Sequence, residues 1–277
     1  MSEFEKLKIV TKYELLKQFR RRRLYAVVAI VIAVTVSILA GLPLLGKGYH
    51  EFGPGVDDVT AMAGMLSIGA TIAAIGVVFF AGDAIAGEFE GKTGYILFPN
   101  PVRRTTMVIG KYLACYAAIA LIILLVYGIV CTSLLGIYGQ IPIEVGGSLA
   151  LSLLFAGSVL SLTFLFSSIS KGALSATVMT LAFVLIIFAT IDGVLWMAGQ
   201  PSWFLLSRAG DATVMVYPGF KAMAAEMAGT YGIQVGAIEY DMGLRTAAMT
   251  AYLAVCLLPS IWIAKRREML KFTRGAI

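Results

Sequence analysis

Residues 86–93 read AGEFEGKT. A small residue, four more positions and then Gly-Lys-Thr is the spacing of a phosphate-binding loop. In such a loop, backbone N–H groups cradle phosphates, the lysine reaches them and the threonine hydroxyl holds a magnesium ion. That chemistry needs a strand before the loop and a helix N-terminus after it, inside an α/β domain. Here a long apolar run precedes the motif and no α/β pattern follows. Glu88 and Glu90 would also set two negative charges inside the cradle. The motif is not read as a nucleotide site.

The other chemistry-bearing residues are isolated. His50 is the only histidine, in a glycine-rich stretch beside Glu51, Asp57 and Asp58, without the partners a metal site needs. Cys115, Cys131 and Cys256 lie in apolar runs with no CxxC, so they read as small buried hydrophobes rather than disulfides or ligands. Asp192 is the one acidic residue late in an apolar run, and an ionisable group there marks an ion path or a local hydrogen-bond partner. No GxSxG, HExxH or pair of intramembrane aspartates is present. No catalytic set and no resident metal are expected.

The elements that carry these residues are apolar runs: Leu24–Leu45, Ala61–Ala81, Thr106–Ile137, Gly147–Ser168, Ala173–Ala198 and Gly243–Ala264. Each can cover the ~30 Å hydrocarbon slab, which takes about 20 helical residues. Only helices and closed barrels satisfy all backbone polar groups in lipid, and these runs are too long for barrel strands. The chain is 59% hydrophobic and 14% charged, well below the roughly 25% charge of soluble domains. The expected fold is an all-α polytopic membrane bundle with six transmembrane helices.

All but Lys47, Arg208, Lys221 and Arg245 of the 22 lysines and arginines fall on alternate connections and the two chain ends. The positive-inside rule places those segments, and both termini, in the cytoplasm. Basic charge is therefore read as topology, not nucleic-acid binding. No cleavable signal pattern precedes Leu24, so the first run is expected to act as a signal anchor.

Residues 1–23 are read as an amphipathic interfacial helix, with 24–277 as the six-span domain. Phe4, Leu7, Val10, Tyr13, Leu16 and Phe19 recur every three residues, which is expected to keep one face apolar. The basic residues elsewhere on this arm suit either anionic headgroups and a cytoplasmic partner, or topology alone. The segment 82–105 starts with a short helix, Asp83–Glu90. Gly91 and Gly94 then permit a turn, and Pro99 and Pro101 stop a helix from running through. The outer segment 199–242 is expected to hold a short helix, Gly219–Ala228, and to cap the outer mouth.

The stretch after the second run resembles the cytoplasmic connection of ABC type-2 permeases. The residues that carry the likeness are Asp83, Glu88, Glu90, Gly91, Thr93, Pro101, Arg104, Gly110 and Lys111. Lys92, between Gly91 and Thr93, and Asn100, between the two prolines, depart from the pattern without removing it. The six runs, the basic arm and the long last outer segment agree with that family.

The resemblance implies a permease subunit of an ATP-driven exporter, with no enzyme activity of its own. Two copies, or one copy and a related permease, would form the pathway in the cell membrane. Two soluble ABC ATPase subunits would bind ATP and Mg beneath it. Asp83, Glu88, Glu90, Gly91 and Thr93 would form the coupling helix and its flank. Pro101, Arg104, Gly110 and Lys111 would lead into the third span. The chain lacks both a nucleotide fold and an evident ion relay, which is consistent with energy supplied elsewhere. An ion-coupled secondary carrier, which would need charged or broken helices near the midplane, and a non-transporting membrane scaffold are the alternatives.

Overall fold

The computed structural model describes residues 3–44, 48–49, 52, 55–90, 104–170, 172–198, 200–230 and 241–274. Among these residues every regular element is helical. Six helices are long and apolar enough to cross a membrane: Arg22–Gly41, Asp58–Gly87, Thr105–Tyr138, Glu144–Ile169, Ala173–Leu195 and Met242–Ala264. They coincide with the six apolar runs, as expected where run length alone decides the element.

In chain order the helices are α1 (Glu3–Phe19), α2 (Arg22–Leu44), α3 (Asp58–Ala81), α4 (Asp83–Glu90) and α5 (Arg104–Tyr138), followed by α6 (Glu144–Ile169) and α7 (Ala173–Leu181). A π-helical segment, Ala182–Ile187, continues α7 into α8 (Phe188–Met197), so the fifth span is one interrupted helix. Then come α9 (Leu206–Met215), α10 (Pro218–Thr230) and α11 (Met242–Arg274).

The second span, α3, is the centre of the bundle. Ala61, Met62, Leu66, Ala70, Ala73, Val77 and Phe80 are all completely buried. Small residues on α3 set its packing distances, as close approach between membrane helices requires. A Cβ on Gly76 would stand 2.7 Å from Val27 Cγ1, and one on Gly69 would stand 2.7 Å from Thr35 Oγ1. Both contacts belong to α2, which rests in this glycine groove.

The segment before the last span packs into the bundle. Two helices form there, α9 and α10, where one was expected, and both insert among the spans. Tyr217, at the turn between them, is fully buried. Its hydroxyl lies 3.1 Å from Ser67 Oγ, near the middle of α3. Thr213 pairs with Thr71 at 2.8 Å, and Ser148 donates to the Thr213 carbonyl at 2.5 Å. Glycines open the way. A Cβ on Gly64 would collide with Phe220, and one on Gly210 would stand 2.8 Å from Phe155. Gly219 leaves no room at all, because a Cβ there would strike the Asp57 carbonyl. The segment is a helical hairpin packed into the bundle and held by hydroxyl pairs, because buried polar groups must find partners.

The N-terminal arm also differs from its expected form. The helix stops at Phe19 and α2 starts at Arg22, so the span begins within the arginine run. The apolar residues spaced by three spread around the helix and do not share one face. Phe4, Tyr13, Leu16 and Phe19 are exposed, at 75%, 68%, 48% and 37%. The face against α5 holds Val10, Thr11, Glu14 and Gln18 instead. A true helical repeat of 3.6 residues selects these positions.

Candidate functional site

The polar residues at the basic end of the bundle converge on the short helix α4. It begins one residue after α3 ends. Gly82 stays helical, and its N–H bonds to the Val78 carbonyl at 3.0 Å. α4 therefore leaves the span as a stiff elbow rather than a loose loop. A Cβ on Gly82 would collide with Thr177 Oγ1 on α7, so this glycine is required by close approach.

Ser167, near the end of α6, holds the start of the elbow. Its hydroxyl donates to the Gly82 carbonyl at 2.8 Å and accepts from the Ile85 and Ala86 N–H groups at 3.2 and 3.0 Å. The first N–H groups of a helix lack partners in their own helix. Ser167 supplies one from a different span.

Asp83 is fixed from the other side. Arg21 Nη1 donates to its carboxylate at 2.6 Å, and Arg23 stands 3.6 Å away. Arg21 sits at the break between α1 and α2, so the first span and the N-terminal helix are both tied to the elbow. The far end is tied as well. Glu90 accepts from the Ala173 N–H at 2.8 Å. Gly172 at the N-cap of α7 offers no side chain, and the carboxylate also suits the positive end of the helix dipole. Glu90 thus caps the fifth span from outside it.

The start of the third span does related work. Gly110 admits α1: a Cβ there would stand 2.7 Å from Val10 Cγ1. Lys111, 4% exposed, donates to Glu14 at 2.9 Å. One helical turn further on, Gln18 donates to Cys115 Sγ at 3.3 Å. Burial pulls the Glu14 carboxyl upward, but Lys111, Lys17 and Arg21 outweigh it and hold the group below its ordinary value of 4.5. Coulomb attraction wins because Lys111 is both close and shielded from water.

The sequence-selected residues divide accordingly. Asp83, Glu90, Gly110 and Lys111 are brought into one braced assembly. Gly91, Thr93 and Pro101 lie outside the described residues, as do the side chains of Glu88 and Arg104. Arg21, Glu14, Ser167 and Thr177 complete the assembly and were not singled out by sequence. Their only signal there is a polar side chain near a span end, which many residues share.

Asp192, the candidate intramembrane acid, is not free. Arg208 Nε donates to it at 2.8 Å, and the same guanidinium stands 3.5 Å from Asp211. Among the described residues no three His, Cys, Asp or Glu side chains group as a metal site.

The comparison with known families decides what this assembly belongs to. The family described as ABC-2 family transporter protein matches residues 9–201. The chain belongs to the ABC-2 transporter family. It is therefore a permease of an ABC transporter and a multi-pass membrane protein. The matched part of this ABC-2 permease runs from α1 through the fifth span and includes every residue of the braced elbow. The helical hairpin and the last span follow it. No curated protein matches the chain.

Proposed function

We propose that this permease is the membrane half of an exporter whose ATP hydrolysis occurs on separate soluble subunits, and that α4 is its coupling helix. The observation that carries this reading is the bracing of α4. One eight-residue helix is bonded to the first span through Arg21, the fourth through Ser167 and the fifth through Glu90. A push on α4 would be passed to three spans at once as a rigid-body movement, the common form of access switching. α1 adds a strut from the same corner to the third span.

In this reading the acidic residues have separate tasks. Asp83 and Glu90 hold the elbow in place, since their carboxylates are engaged within the chain. Glu88 would meet a basic or polar group of the ATPase. Gly91 and Thr93 would end the contact. Two permease chains would enclose the pathway, with ATP and Mg bound by two partner ATPases. The concentration of lysine and arginine at the elbow end supports placing that end, and both termini, in the cytoplasm. The pairing of Asp192 with Arg208 weighs against a carrier driven through a free intramembrane carboxylate.

The test is co-purification of a soluble ABC ATPase with the tagged permease. Glu88→Arg is expected to reduce the recovered ATPase at least several-fold while the permease elutes unchanged on size exclusion. Unchanged recovery from a folded variant would remove the coupling role.

A further inference from the structure

The side of α1 that faces away from α5 is mainly apolar and basic, with one exposed acid, Glu5. Ile9, Tyr13, Leu16 and Phe19 are exposed, at 41%, 68%, 48% and 37%. Lys8, Lys12 and Arg20 are exposed among them and form no ion pair with any described residue. At 100° per residue these seven positions fall in one arc of roughly 140°, opposite Gln18, and Glu5 shares it, so the face carries three cations against one carboxylate. The arrangement is not a sorted amphipathic helix. Cations and aromatic or aliphatic groups alternate over a single surface.

Water alone would leave four large apolar groups exposed without return. A dry protein interface would have to neutralise three cations. The boundary of a bilayer suits both, because lipid phosphates pair with the cations while ring and alkyl bodies rest against the upper acyl chains. Connectivity places α1 at that boundary. It leads through a two-residue break into the first span, and it packs on the first turns of α5, whose span of 34 residues is longer than the hydrocarbon slab needs.

We propose that this outward face of α1 binds the headgroups of anionic phospholipids. Through Glu14–Lys111 and Arg21–Asp83, occupancy of that face would steady the corner that braces the elbow. The proposal concerns the lipid surface alone and stands whether or not an ATPase docks on α4.

The experiment uses the full-length protein in phosphatidylcholine bilayers, with spin-labelled phosphatidylglycerol or spin-labelled phosphatidylcholine as the probe. Electron spin resonance reads the fraction of each probe immobilised at the protein surface. Wild type is expected to prefer phosphatidylglycerol, with the preference falling as salt is raised. The triple variant K8Q/K12Q/R20Q is expected to lose about twofold or more of that preference. The charge-keeping variant K8R/K12R should retain it. Immobilised phosphatidylcholine serves as the folding control and should be the same in all three. Equal preference in wild type and the triple variant would overturn the proposal. So would unchanged lipid preference accompanied by loss of a co-purifying protein, which would make an acidic protein surface the occupant.

Discussion

Removing Glu14 should loosen α1 far more than removing its partner Lys111. The Lys111 side chain is 5% exposed and the Glu14 side chain 18%, with Lys17 a further 3.6 Å neighbour of Glu14. Glu14→Gln therefore takes from a deeply buried ammonium the carboxylate that stands 2.9 Å from it. Breaking a buried pair in this way costs about 3 kcal/mol or more. Lys111→Met leaves a carboxylate that water and Lys17 still reach, at a cost nearer to 1 kcal/mol. The double variant should cost less than the sum by about 1–2 kcal/mol, because the two groups share one contact. Hydrogen exchange on α1 in the full-length protein in nanodiscs is the assay, since a helix held on one face opens locally before the bundle does. A change of 3 kcal/mol in opening free energy speeds exchange by about 150-fold. Equal acceleration by the two single variants, or strictly additive effects, would refute the idea that the pair is buried asymmetrically and holds α1 in place.

Three further outcomes follow from the same geometry. The Glu14 pKa is lowered on folding, so its contribution is present above the ordinary value of 4.5 and is lost as pH falls through the lowered value. Corrected exchange protection of α1 should thus be flat at neutral and mildly acidic pH, begin to drop as pH falls below 4.5 and reach its floor below the lowered value, and Glu14→Gln should abolish the drop. Gly110→Leu should push α1 away at a cost of about 1–3 kcal/mol, and Val10→Ala should restore part of the loss, both read by the same exchange assay. Ser167→Ala takes a donor from the Gly82 carbonyl and an acceptor from the Ile85 and Ala86 N–H groups, at about 1–2 kcal/mol. Substrate-stimulated ATP turnover of the assembled transporter should fall more than its basal turnover if the elbow transmits work.

The spans were legible because run length is a local property that needs no partner. Asp83–Glu90 was legible for a similar reason, being set off by Gly82 and Gly91. The helix over 219–228 was legible too, but α9 and the packing of the hairpin into the bundle were not. α9 and α10 are short and of mixed composition, and what buries them is a set of hydroxyl pairs across long stretches of chain, such as Ser67 with Tyr217 and Thr71 with Thr213. Spacing by three suggested that Phe4, Leu7, Val10, Tyr13, Leu16 and Phe19 would share a face. The surface beneath α1 carries Lys111 and Cys115, so polar Glu14 and Gln18 turn inward and several of the aromatics turn out. Family likeness drew attention to Asp83, Glu90, Gly110 and Lys111, and the structure gives each of them a contact within the chain. Their partners Arg21, Ser167, Val10 and Glu14 could be found only once the chain was folded.

The central claim is that α4 faces the cytoplasm and receives work from a separate ATPase. Phe89→Cys in the assembled complex tests it most directly, with a short bifunctional cross-linker added to inverted vesicles and an impermeant maleimide added to intact cells. The account predicts a cross-link between this position and the soluble ATPase, and no labelling from outside. Labelling from outside, or a stable complex in which residues 83–90 never cross-link to the ATPase, would contradict it.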